Sequence, residues 1–183
     1  MRRKIMLLHL IIASLITPMV LLVSISGGLY LSGYKGAVTS VDVDLPVGAQ
    51  LDFKSKDLLE TKDLEANVRR LIKSAGIEHD FEYLKVSNSA IQTRPTSRVY
   101  LEFQQRDSLT LTVQTPNLQK TLIELHKGHG PTLFKLYQKF CAVGLISILL
   151  SGVYMGLASP SLRSKTLISL LLGLGLFVVV GFL

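Results

Sequence analysis

The chain has 183 residues, 48% of them apolar, and a mean hydropathy of +0.40, too apolar for an ordinary soluble domain and typical of the membrane class. Its formal net charge of +7 does not mark a nucleic-acid binder, because the segment from Lys35 to Gly130 holds 13 basic and 13 acidic residues. The surplus is Arg2, Arg3, Lys4, Lys135, Lys139, Arg163 and Lys165, all beside apolar windows, where basic residues set topology and form no phosphate-binding stripe.

A basic tail, residues 1–4, precedes a charge-free window of 30 residues from Ile5 to Tyr34. A helix rising about 1.5 Å per residue needs roughly 20 residues to cross a hydrocarbon core of about 30 Å, so residues 5–34 are expected to be a first span. A cleaved signal peptide is the competing reading of the same basic start. Its apolar run would be about 7–15 residues, no A-x-A pattern closes this window, and no cysteine stands near it to accept a lipid. A retained anchor is therefore expected.

Residues 35–130 read as one small domain. Val41, Val43 and Leu45 alternate with Asp42 and Asp44, which predicts a half-buried strand ended by Pro46 and Gly48. Leu64, Val68, Leu71, Ile72 and Ala75 recur at helical spacing, with Thr61 as the expected cap and Gly76 as the stop. Phe81 to Val86 reads as a strand. Two more alternating runs, around Val99, Leu101 and Phe103 and around Leu109, Leu111 and Val113, flank the hairpin turn Arg106-Asp107-Ser108. Asn117 is the expected cap of a helix carrying Leu118, Leu122 and Leu125. The predicted order is β-α-β-β-β-α, a single sheet with its helices on one face.

A second charge-free window, Phe140 to Leu162, has 23 residues, and a third, Thr166 to Leu183, has 18. They predict spans at 131–157 and 166–183, joined by a turn at 158–165. The expected fold class is thus a membrane α+β protein: three transmembrane helices with one extracytoplasmic domain between the first two. The positive-inside rule puts the N-terminus and the 158–165 turn in the cytoplasm and the middle domain outside. Lys135 and Lys139 then lie on the outer side, where they are expected to snorkel to the headgroups. Gly27, Gly28, Gly152 and Gly156 mark close helix packing, the last two as a G-x-x-x-G step. Packing within the chain and homodimerisation are both readings of that step. Cys141 is the sole cysteine, so no intramolecular disulfide exists, and packing is its expected role.

Four histidines are the candidate chemistry. His79 sits in a polar connection and is expected to be a solvated loop residue. His9 lies inside the first span, where ionisable residues usually face a partner, cavity or cofactor. Two readings stand for it: a neutral imidazole bonding a backbone carbonyl, or a haem or metal ligand. His126 and His129 share the run Leu125-His126-Lys127-Gly128-His129, in which Gly128 is expected to break the helix between them. No acidic residue is expected beside them, so they form at most a weak metal site. More than 20 helical residues separate His9 from the outer end of its span, roughly 30 Å, so His9 and His126 of one chain are not expected to grip one iron. P-loop, H-E-x-x-H, G-x-S-x-G and C-x-x-C motifs are all missing, and no enzyme class is indicated.

Two segments of the chain look alike. The first span opens with Leu8-His9 and ends with Ser26-Gly27-Gly28-Leu29-Tyr30; the second is preceded by Leu125-His126 and ends with Ser151-Gly152-Val153-Tyr154. This pattern, over nearly the whole chain, resembles the PepSY-associated transmembrane family of bacteria. The resemblance implies a PepSY-like outer domain, an inner-membrane location with that domain in the periplasm, and matches of His9 and His126 to the family's Leu-His positions, with His129 a nearby extra. Larger members are implicated in iron uptake, and some resemble haem-carrying reductases that release iron from siderophores. This chain departs from them in its three spans, few histidines and short outer domain. The leading expectation is therefore an accessory or binding module whose outer domain engages a protein or peptide partner. A haem b electron-transfer subunit and a modulator of an extracytoplasmic protease are the alternatives.

Overall fold

A computed structural model describes residues 2–46, 49–51, 58–105 and 108–182. Among them, three helices are long and apolar enough to cross a membrane: α1 (Arg2–Leu31), α4 (Thr132–Leu157) and α5 (Arg163–Phe182). Large side chains such as Leu171, Leu172 and Phe177 of α5 stand exposed, and no residue of that helix is buried. A surface of this kind is at home only in lipid, and the chain is a multi-pass membrane protein. The third helix is longer than its apolar window, because it starts at Arg163 inside the expected turn.

The chain divides into two compact units, one of Met1–Val20 with Gln138–Leu183 and one of Leu21–Tyr137. In the first, α1 and α4 approach closely at Gly144, where a Cβ would meet the Ile16 Cγ2 at 3.1 Å. Ile16 and Cys141 are buried here.

The second unit contains the α+β domain: β1 (Val38–Val43), α2 (Leu58–Ser74), β2 (Tyr83–Val86), β3 (Ala90–Arg94), β4 (Tyr100–Gln105), β5 (Leu109–Pro116) and α3 (Leu118–His126). Its five strands form one antiparallel sheet in the order β1-β5-β4-β3-β2. The pleat sorts residues by parity. One row across the sheet is Val43, Leu111, Phe103, Ile91 and Val86, all apolar; the next is Asp42, Thr112, Glu102, Gln92 and Lys85, all polar. Leu64, Val68 and Ile72 of α2, four residues apart, join Phe81, Leu84, Ile91, Leu101, Phe103 and Leu111 in the buried core. Each such side chain contributes roughly 1.5–3 kcal/mol on burial.

Several expectations are corrected. The order is β-α-β-β-β-β-α, because Ala90–Arg94 forms an additional strand. Its polar Gln92, Thr93 and Arg94 hide the alternation that a half-buried strand normally shows. β1 ends at Val43 without reaching Leu45, and β2 starts at Tyr83 without including Phe81. Thr61 lies inside α2, which begins at Leu58, so it does not cap that helix. Gly48, and Arg106 and Asp107 of the hairpin turn, lie outside the described residues, although Gln105 pairs with Leu109 across that turn. The helices do not share one face: α2 covers the core face, whereas α3 is tied to Arg94, whose side chain bonds Gln92 on the polar face. Asn117 caps α3 as expected, its side chain accepting from the Lys120 N–H at 2.9 Å.

α2 and α3 stop in the same way. Ile77 N–H bonds Ile72 C=O and Gly76 N–H bonds Lys73 C=O; His129 N–H bonds Glu124 C=O and Gly128 N–H bonds Leu125 C=O. This paired pattern needs a left-handed residue just past the helix, and Gly76 and Gly128 supply it with φ of 71° and 75°. Gly128 thereby turns the chain between His126 and His129.

Candidate functional site

In the first unit, His9 of α1 faces α4. Its Nδ1 lies 2.8 Å from the Ser151 Oγ, and a Cβ on Gly152 would stand 3.7 Å from its Cε1. The Ser151 hydroxyl donates to the Ile148 carbonyl at 3.1 Å. The Nδ1 tautomer lets the ring donate to Oγ while the serine hydrogen goes to the backbone; the other tautomer reverses the bond between ring and hydroxyl. The neutral-imidazole reading expected a backbone carbonyl as the partner of His9; through Nδ1 it meets a serine hydroxyl instead.

The second unit repeats the arrangement with the roles of the segments exchanged. His126, the last residue of α3, places Nδ1 3.1 Å from the Oγ of Ser26 in α1, and Ser26 donates to the Val23 carbonyl at 3.3 Å. Ser26 is only 1% exposed. A Cβ on Gly27 would stand 3.0 Å from His126 Cε1, so any larger residue would push the ring back by a few tenths of an ångström. The histidine of each Leu-His pair is thus seated on the other segment's Ser-Gly pair.

His129 takes a different partner. Its Nδ1 lies 2.7 Å from Glu124 Oε2, which corrects the expectation that no acidic residue stands beside these histidines. Helical spacing hides this neighbour: Glu124 lies five residues before His129, and the turn at Gly128 brings the two together. Glu124 is 7% exposed, and Thr96 donates to its Oε2 at 2.8 Å while Lys120 reaches Oε1 at 3.2 Å. Buried Arg94 donates to the Thr96 hydroxyl at 2.8 Å, which extends the network to β3. Burial works to raise the Glu124 pKa, but the hydrogen bonds from His129, Thr96 and Lys120 outweigh it, and the carboxyl is lowered to about 2.

His79 also departs from expectation. Its Nε2 lies 3.1 Å from the Thr93 Oγ1, and burial pushes its pKa down against the opposing charge of Asp80. Lys135 does not extend freely toward headgroups: its ammonium stands 4.2 Å over the Tyr83 ring and bonds the Tyr83 hydroxyl. Beside it Glu82 accepts from both N–H and hydroxyl of Thr132, at 2.7 and 2.6 Å, and so caps α4. At the other glycines, a Cβ on Gly156 would collide with Thr166 of α5, whereas Gly28 has no heavy atom within 4 Å of that position.

Chemically, the arrangement offers two imidazoles, each oriented by a serine hydroxyl at Nδ1, and one carboxylate held ionised at any ordinary pH. Among the described residues no three His, Cys, Asp or Glu side chains gather to hold a metal ion. The histidines were legible as candidates, but Ser26, Ser151 and Glu124 were not assigned as their partners, nor Thr96 and Arg94 as the rest of the Glu124 network. The recurrence of Ser-Gly after each Leu-His was the available signal for the two serines. Neither a protein-family model, nor a curated protein, nor a solved structure matches this chain.

Proposed function

We propose that this chain is a membrane-anchored accessory protein of the PepSY-associated type, and that its α+β domain engages a protein or peptide partner. The proposed setting is a bacterial inner membrane, with the N-terminus in the cytoplasm and the domain in the periplasm. The observation that carries the binding reading is the unequal treatment of the two sheet edges. At the β2 edge, Glu82 and Tyr83 are engaged by Thr132 and Lys135. Among the described residues the β1 edge has only β5 beside it, and Thr39 to Asp42 are exposed. An open edge strand offers unpaired backbone groups to an incoming extended segment. A cavity of about 600 Å³ adjoins it, lined by Asp42, Asp44, Leu45, Leu109 and Thr112 among others. The test compares proteins that co-purify from native membranes with the full chain and with a variant lacking residues 35–127. The full chain is expected to retain a partner that the shortened one loses; equal retention sinks the reading.

A second reading, a haem-binding electron-transfer subunit linked to iron uptake or siderophore reduction, is favoured by one observation. His9 and His126 each have Nδ1 fixed by a serine, the kind of outer-shell bond that orients a ligating imidazole. Haem b, when bound, would supply one-electron transfer. Each imidazole would offer one nitrogen to the iron, and a second ligand would come from another subunit or another residue type. Oxidised and dithionite-reduced absorption spectra of the purified protein, with His9→Ala and His126→Ala controls, test this. A featureless spectrum from haem-replete cells refutes it.

A further inference from the structure

We propose that the end of α1 nearest the α+β domain is a binding site for the phosphate of an anionic phospholipid, formed by the ammonium groups of Lys35 and Lys127 and the hydroxyl of Tyr30. Tyr30 sits in the last turn of a helix apolar enough to span a membrane, the depth at which tyrosine rings meet headgroups. Lys127 stands 4.7 Å from its ring centroid and Lys35 stands 5.9 Å from it. One ring therefore gathers two like charges. The ring's negative face attracts each cation, but the two ammonium groups repel each other.

The carboxylates nearby in sequence are spent elsewhere, Glu124 on Lys120 and His129, and among the described residues no carboxylate lies within ion-pair distance of Lys35 or Lys127. Both lysines are exposed and both are held by their backbones. Lys127 is the C-cap of α3, its N–H bonded to the Ile123 carbonyl. Lys35 follows the turn in which Tyr34 N–H bonds Leu29 C=O and Gln119 bonds the Tyr34 carbonyl. A phosphate ester is the anion that two ammonium groups and a phenol hydroxyl suit. A lipid source is chosen over a soluble one because Ile25, Leu29 and Leu31 of the same helix end stand exposed, offering an apolar track for the acyl chains.

The test is native mass spectrometry of the full-length protein in detergent, titrated with phosphatidylglycerol or phosphatidylcholine of equal chain length. With each lysine near an anionic surface contributing about fivefold, the wild type should prefer phosphatidylglycerol by on the order of 30-fold. K35Q/K127Q should lose that preference and K35R/K127R should keep it. Lys85→Gln, at an exposed site on β2, should also keep it. Glycerol 3-phosphate at millimolar concentration should not displace the lipid. Equal binding of the two lipids by the wild type, or a preference that survives K35Q/K127Q, would overturn the proposal. Displacement by glycerol 3-phosphate would overturn the lipid source. These readouts involve neither a protein partner nor haem, so the result stands apart from the functional readings above.

Discussion

Replacing Glu124 by glutamine keeps the shape of the side chain and removes its charge. In the folded protein the carboxyl titrates at about 2 instead of its ordinary 4.5. At about 1.36 kcal/mol per pKa unit, that difference corresponds to about 3 kcal/mol of stability carried by the ionised form. Because the folded pKa is depressed, the contribution is fully present above pH 4.5 and is lost as the pH falls toward 2. Glu124→Gln lacks it at every pH. The wild type should therefore melt higher than the variant at pH 7, by on the order of 10 °C for a domain of this size. The gap should close progressively below pH 4.5. Calorimetry of full-length protein in nanodiscs from pH 2.5 to 7 measures both quantities. The two proteins differ at Glu124 alone, so the difference in melting temperature reads the network built on it. Melting temperatures within about 2 °C at neutral pH, or a gap as large at pH 3 as at pH 7, would refute the network's role.

Gly27→Val should weaken the fold by about 1–3 kcal/mol, because the new Cβ starts 3.0 Å from His126 Cε1; Gly28→Ala, with open space at its Cβ, should be near neutral in the same thermal assay. Asn117→Ala removes the side-chain acceptor for Lys120 N–H and should cost about 1 kcal/mol, seen as faster amide hydrogen exchange in the first turn of α3. Glu82→Ala leaves Thr132 N–H without its acceptor, so exchange should quicken in the first turn of α4 and stay unchanged in α5.

The spans were readable because a helix that crosses lipid must be free of charge for about 20 residues, a condition that each window states by itself. The Asn117 cap and the Gly76 stop were readable for a similar reason, since both act within a few residues. β3 was not. Its Thr93 is buried, and its hydroxyl accepts the Leu101 N–H across the sheet at 2.8 Å, so a polar residue occupies a place where alternation leads one to expect an apolar one.

Among the candidate residues, the sequence marked His9, His126 and His129 by their rarity and their setting. Tertiary structure decided what His9 and His126 touch and what surrounds Glu124, whereas the His129–Glu124 pair follows from the local turn at Gly128. His9 and Ser151 are 142 residues apart, His126 and Ser26 are 100 apart, and Thr96 and Glu124 are 28 apart. Local chemistry determines which residues can dwell in lipid or end a helix. It carries no information about which hydroxyl will meet an imidazole, because that depends on where separately formed helices come to rest against each other.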